Sequence, residues 1–230
     1  MHWDVVIDNW PLLLQGLWTT ILYVSASLVL GLMLAIPLSI MRSSSNRFLS
    51  WPVWAFTYFF RGTPLLVQIY LIYYGLGQFE SVRESFLWPM LREASWCALI
   101  GFTLNTAAYV TEILRGAIQS TSYGEVEAAT ACGMSRAQTY HRIILPGAFR
   151  RALPAYGNEV IFMLHGSVVA GVITILDIYG AAKKINALTY TYFESMLAAA
   201  VLYMLIVYLI TRAFKWAESR WNAHLRPRTE

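Results

Sequence analysis

The side chains able to do chemistry in this chain are few, and most stand inside apolar runs. Asn105, Tyr109 and Glu112 recur at i, i+4 and i+7, so a helix would carry all three on one face. Asn158, Glu159, Phe162 and His165 would share a face of a second helix if that helix begins soon after Pro146. Gln68 is a further polar group in an apolar run, and it needs a partner there. An ionised glutamate in lipid is costly, so Glu112 and Glu159 are expected to face protein or a water-filled path. For both, a path whose carboxylates attract a cation competes with simple pairing to Arg115, Arg150 or Arg151. For Glu159 the path reading is the stronger, because the residue falls about three turns beyond Pro146.

Enzyme signatures are missing. There is no phosphate-binding glycine loop of the Walker type, no HExxH and no GxSxG. His2, His141, His165 and His224 form no ligand spacing. Cys97 lies in an apolar run and Cys132 in a polar gap, so neither a metal site nor a disulfide is expected. The chain is expected to be non-catalytic and to hold no cofactor or metal of its own. If it takes part in ATP-driven transport, hydrolysis must happen on another chain.

The elements that must position these residues follow from composition. Of 230 residues, 57% are hydrophobic and only 13% charged, with mean hydropathy +0.50. That charge is about half of what soluble domains carry, which points to a membrane protein, all-α and in contact with lipid rather than nucleic acid. Residues 19–41, 53–76, 94–114, 155–176 and 195–213 are each long and apolar enough to span about 30 Å of hydrocarbon. In the second stretch Arg61-Gly62-Thr63-Pro64 suits a helix start. The membrane part is then expected to begin near Pro64, after an amphipathic helix around residues 51–60 lying at the interface. The aromatic run from Tyr70 to Tyr74 that follows is read as packing. All nine tryptophans fall near span ends, as aromatic belts require.

One set of loops and ends carries Arg42, Arg47, Arg61, Arg115, Arg136, Arg142, Arg150, Arg151, Arg212, Lys215, Arg220, Arg226 and Arg228. The other set holds only Arg83, Arg92, Lys183 and Lys184 among acidic residues. The positive-inside rule then places the N-terminus outside and the C-terminus inside, which five spans satisfy. No basic leader precedes the first span, so a cleavable signal peptide is not expected. No fixed-period repeat stands out, and residues 1–230 read as one transmembrane domain with a cytoplasmic loop at about 116–150.

That loop holds the most specific pattern. Glu127-Ala128-Ala129 is followed by Gly133 and then by Ile143, Leu145 and Pro146. A short helix over 127–132 is expected to break at Gly133, and Ser135 can cap a second helix that lasts until Pro146, where it ends or the next begins. A helix–turn–helix outside the bilayer, with Ala128 and Ala129 on one face and an exposed Glu127, is a docking surface in form.

The pattern resembles the EAA motif of permease subunits in ATP-binding-cassette importers, where the hairpin is the coupling helix that grips the nucleotide-binding subunit. The resemblance covers the whole chain and is to the polar amino-acid permease family of type I importers. It is carried by Arg61-Gly62-Thr63-Pro64-Leu65-Leu66-Val67-Gln68, by Asn105-Thr106-Ala107-Ala108-Tyr109 with Glu112 and Arg115-Gly116, and by Leu153-Pro154 with Gly157-Asn158-Glu159. Residues 69–79 and Glu84-Ser85-Phe86-Leu87-Trp88-Pro89 are similar to the "M" subunits for arginine/ornithine, histidine and octopine uptake in Gram-negative bacteria. The resemblance implies a multi-pass protein of the bacterial inner membrane, paired as a heterodimer with a homologous "Q"-type permease. It also implies two ATP-binding subunits, which bind ATP and magnesium, and a periplasmic amino-acid-binding protein. On this scheme Glu127, Ala128, Ala129, Gly133, Ile143, Leu145 and Pro146 couple to the ATPases. Gln68, Asn105, Tyr109, Glu112, Asn158, Glu159 and His165 then line the path of a polar, basic amino acid or opine. Many relatives have Lys and then Asp or Ser where this chain has His165-Gly166, a loss of positive charge that suits a cationic substrate. Two other classes stand beside this one: an ATP-independent carrier or channel with the glutamates as cation sites, and a membrane scaffold with no path.

Overall fold

The computed structural model describes residues 3–221, and every regular element among them is helical. His2, His224, Arg226 and Arg228 lie outside the described residues. A short α1 (Trp3–Asp8) leads into α2 (Trp10–Arg42), with Pro11 in its first turn, where a missing N–H costs little. The side chain of Asn46 then caps α3 (Arg47–Gly62) by accepting the Phe48 N–H at 3.0 Å. At Thr63-Pro64 the backbone turns extended, since a residue before proline is pushed out of the α region. The chain resumes as α4 (Leu65–Tyr70), a π turn (Leu71–Gly75) and a 3-10 turn (Leu76–Gln78). Two single-turn helices, α5 (Glu80–Arg83) and α6 (Trp88–Leu91), precede α7 (Ala94–Gln119). After α8 (Tyr123–Ala131) and α9 (Arg136–Thr139) come a π turn (Tyr140–Ile144) and α10 (Leu145–Gly166). A 3-10 segment (Ser167–Ile173), α11 (Ile178–Thr189) and α12 (Tyr192–Trp221) complete the described chain.

Four of these stretches are long and apolar enough to cross a membrane: Trp10–Arg42, Ala94–Gln119, Arg136–Ile173 and Tyr192–Trp221. The stretch expected at 53–76 is divided at Pro64 and is not a continuous span helix. On its first side, α3 buries Val53 and Thr57 and exposes Phe48, Trp51, Trp54, Tyr58 and Phe59. On its second side, Leu65–Gln78 packs Ile69 against the bundle core beside Phe102, Met163 and Leu164.

Contact pairs set the helix directions. Gly31 lies on Thr106 and Ala35 clusters with Val110, so α2 and α7 run the same way. A Cβ on Gly31 would stand 2.6 Å from Cγ2 of Thr106, a closeness that membrane helices reach through small residues. Arg151 reaches Ala117 while Glu159 and Asn105 share a cleft, so α10 runs against α7. Gly157 of α10 meets Phe214 of α12. At the far end Asp177 caps α11 through the Gly180 N–H (2.8 Å) and accepts the Tyr203 hydroxyl at 3.2 Å, tying α11 to α12. Burial raises the Asp177 carboxyl above its ordinary range, against the hydrogen bonds it accepts.

Candidate functional site

A cleft of about 500 Å³ opens where α3 breaks, between the Arg61–Leu65 turn, α7 and α10. Its polar lining is Arg61, Thr63, Asn105, Tyr109 and Glu159, and Phe162, Met163 and Gly166 supply much of the rest. Glu159 is only 5% exposed, and among the described residues its carboxyl forms no hydrogen bond or ion pair. A buried polar group without a protein partner is rare, and here it faces open space. The Arg61 guanidinium sits 5.4 Å from the centre of the Tyr109 ring, a cation–π contact across the same cleft. The cleft therefore offers one carboxylate, one guanidinium, an amide and an aromatic wall. Its volume lies within the range of small-molecule sites.

Gln68 is behind the wall. Its amide N–H groups donate to the carbonyls of Phe60 (2.7 Å) and Thr63 (3.0 Å) and to the Thr63 hydroxyl (2.8 Å). Asn105 in turn donates to Gln68 Oε1 at 3.0 Å and to the Phe60 carbonyl at 3.4 Å. These bonds satisfy carbonyls that the break at Pro64 leaves without helical partners, so Gln68 braces the turn that aims Arg61.

Glu112 is elsewhere again. Its carboxylate accepts from Arg42 Nε (3.2 Å), Arg115 Nε (2.6 Å) and the Thr57 hydroxyl (3.1 Å). Arg42 also donates to the Ser50 hydroxyl at 3.0 Å. This clamp joins the end of α2, the middle of α3 and α7 beside a smaller cleft of about 330 Å³, which shares Arg61 and Gly62 with the larger one. Pairing with Arg115 was among the expected alternatives. Arg150 and Arg151 play no part in it, and Arg42 does.

Asn158 and His165 do not line the main cleft. His165 borders a separate groove with Tyr203 and Met204, and Asn158 points outward. Adjacent helix positions differ by about 100°, so the face that carries Glu159 continues through Phe162, Met163 and Gly166, while 158 and 165 turn away. Arg61 and Thr63 are not among the expected path residues, because their motif suits a helix start in the sequence. Only the broken helix brings them to Glu159.

The polar loop forms the hairpin. Ser122 caps α8 through the Glu125 N–H, so the first helix begins at Tyr123, four residues earlier than expected. Gly133 takes φ +74°, the left-handed conformation that ends it. Ser135 and Gln138 form a reciprocal capping box at the start of α9, with Ser135 N–H to Gln138 Oε1 at 2.8 Å. The second helix does not stop at Pro146. Tyr140–Ile144 widens to a π turn, and Pro146 then enters α10 in its first turn, so the helical path runs on into the apolar span. A π turn accommodates the carbonyl clash and missing N–H that a proline imposes on an α-helix.

Glu127 and Ala128 are exposed, whereas Ala129 is buried, so the two alanines do not share one outward face. Ile143 and Leu145 are half-buried and Pro146 is exposed. Ile144 packs with Ala117, Ile118 and Ala148 in a core that Leu145 and Val126 border. Arg151 donates to the Ala117 carbonyl (3.1 and 3.2 Å) and the Thr121 hydroxyl (2.6 Å). The hairpin is thus bolted to both α7 and α10, the helices that carry Asn105, Tyr109 and Glu159.

Comparison with known proteins agrees with this architecture. Residues 10–223 match the family described as binding-protein-dependent transport system inner membrane component. The chain is 47% identical to the histidine/lysine/arginine/ornithine transport system permease protein HisM of Escherichia coli (strain K12), over 92% of this chain and 87% of that relative. It is 42% identical to the nopaline transport system permease protein NocM of Agrobacterium fabrum, over 99% of this chain and 95% of that one. Among solved structures, an amino acid ABC transporter crystallised with histidines superposes with a TM-score of 0.85 at 31% identity, covering 96% of this chain and 99% of its own. The chain belongs to the family of binding-protein-dependent transport system inner membrane components, as a membrane-embedded transport permease.

Proposed function

We propose that this permease carries a cationic amino acid through an ATP-driven importer, with Glu159 as the carboxylate that meets the substrate's positive charge. The observation that carries the reading is the cleft itself. A buried, unpartnered Glu159 faces it together with Asn105, Tyr109 and Arg61. A free amino acid bears both charges. Glu159 suits its side-chain cation, and Arg61 suits its carboxylate, which guanidinium can take with two hydrogen bonds. The names of the relatives agree in class, since one carries histidine, lysine, arginine and ornithine and another carries nopaline.

In the assembly this reading implies, the permease sits in a bacterial inner membrane with its N-terminus outside and its C-terminus inside. The break at Pro64 then makes the second of five crossings, because α2 and α7 run the same way and the chain must return between them. A homologous Q-type permease pairs with it, a periplasmic binding protein delivers the amino acid, and two ATP-binding subunits hydrolyse ATP. The exposed Glu127 hairpin takes the push of the ATP-binding subunits. The Ile144 core and Arg151 pass that push to α7 and α10, whose relative movement opens the cleft to one side or the other.

The test is uptake of labelled arginine, ornithine and histidine into vesicles holding the complete transporter. Glu159→Gln should lower uptake by about 10- to 100-fold, the equivalent of one charge-assisted contact, while the ATP-binding subunits still co-purify. A wild-type preference for glutamate or glutamine, or full arginine uptake by Glu159→Gln, would overturn the assignment.

A further inference from the structure

A second cavity, of about 610 Å³, lies away from the cleft, between α2, α7, α10 and the end of α12. Its walls are apolar, with Leu32, Ile113, Leu153 and Tyr156 among them, and among the described residues no carboxylate lines it. Two guanidiniums do line it: Arg150 and Arg220, with Trp221 beside them. Among the described residues neither arginine has an ion-pair partner, and Arg220 only lies over the Trp216 ring at 6.0 Å.

Two unpaired cations over an apolar groove call for an amphiphilic anion. Leu32 lies ten residues before the end of α2 at Arg42, so the groove extends roughly 15 Å inward from that end. That depth is about half of the roughly 30 Å hydrocarbon core, the reach of one leaflet's acyl chain. Trp216 and Trp221 mark the headgroup level, where amphipathic rings settle. A free phosphate would satisfy the arginines and leave the apolar wall bare, whereas a neutral lipid would do the reverse.

We infer that this groove binds one anionic glycerophospholipid of the cytoplasmic leaflet, its phosphate held by Arg150 and Arg220 and an acyl chain lying against Leu32, Ile113 and Leu153. The inference rests on the orientation proposed above, which places the basic helix ends on the cytoplasmic side. A lipid there wedges between α10 and α12 at the foot of the hairpin, and so would set how freely α10 moves.

The experiment is native mass spectrometry of the complete detergent-purified transporter, titrated with phosphatidylglycerol or phosphatidylcholine of matched chains. Arginine uptake is measured on the same preparations. One phosphatidylglycerol per permease should be retained in preference to phosphatidylcholine, and the preference should fall roughly fivefold with each guanidinium lost, in Arg150→Gln and Arg220→Gln. Leu153→Trp, which narrows the groove and keeps both charges, should also lose the lipid. Equal retention of the two lipids by the wild type, or unchanged preference in the double glutamine variant, would overturn the site. So would effective competition by inorganic phosphate alone. Binding that appears only after removal of residues 222–230 would make the chain's own tail the occupant, and binding that appears only without the ATP-binding subunits would give the groove to them. Arginine uptake that persists while the lipid preference is absent rejects the lipid site and leaves the transport reading intact.

Discussion

At Glu112 two guanidiniums and a hydroxyl converge on one carboxylate, while among the described residues no side chain hydrogen-bonds or ion-pairs with Glu159. The path reading, stronger for Glu159 in the sequence, is matched by a difference in surroundings between the two glutamates. The Glu112 clamp joins three helices, and such contacts to a charged group contribute about 1.5–3 kcal/mol each when half-buried. Glu112→Gln should accordingly lower the thermal stability of the permease without changing which amino acid it prefers. Glu159→Gln should do the reverse. Melting followed by tryptophan fluorescence, set beside competition between arginine and neutral amino acids, distinguishes them. A changed selectivity in Glu112→Gln would return that residue to the path. Gln68 belongs with Glu112 in this respect, since its amide is fully engaged in bracing the turn at Pro64.

Among the elements, the hairpin and the broken helix matter most. Gly133 at φ +74° reverses the chain between α8 and α9, and a Cβ there would be strained although nothing crowds it. Gly133→Asp should cost about 1 kcal/mol locally, leave the spans inserted, and misplace Glu127. Glu127→Lys should keep the backbone and reverse the docking charge. Both variants should reach the membrane in normal amounts, and both should lose most arginine uptake and co-purify less of the ATP-binding subunits. Normal uptake with normal co-purification in both would remove the hairpin from coupling. The π turn before Pro146 gives this element its reach, because it lets a helix that begins in the polar loop continue into the span. In the proposed coupling, a push on α9 would pass through this continuous helical path into α10.

For the whole molecule, the relative directions of α2, α7 and α10 place the hairpin at the same end as Arg42, Arg115 and Arg151. That end is the cytoplasmic one in the proposed topology. Cys132 is exposed in the hairpin and Cys97 is buried in α7, so the native thiols report sidedness without mutation. A membrane-impermeant maleimide should label Cys132 in inside-out vesicles and leave intact spheroplasts unlabelled. Labelling from the outside of spheroplasts would invert the topology. Burial also keeps the Cys97 sulfhydryl out of the measurement, since it donates to the Leu91 carbonyl at 3.0 Å.

The amino-acid order alone determined what depends on local pattern. Apolar runs longer than a bilayer, the surplus of Arg and Lys on one set of loops, and the Gly133 and Ser135 signals each act within one or two turns of chain. All are local enough to be legible in the sequence. The face of α10 that lines the cleft, the partners of Glu112 and the role of Gln68 depend on which helices meet, and only the tertiary structure decided them. Asn158 and His165 illustrate the limit: periodicity groups residues on a helix face, but it does not say which face looks at the cleft. Arg61 illustrates the converse. Its motif was visible as a helix start, yet its place opposite Glu159 required the break at Thr63-Pro64, held open by Gln68 and Asn105 from outside the turn. The Glu127 hairpin was legible because its caps are local, and its hold on the cleft was not, because Arg151 and Ile144 reach across to another helix.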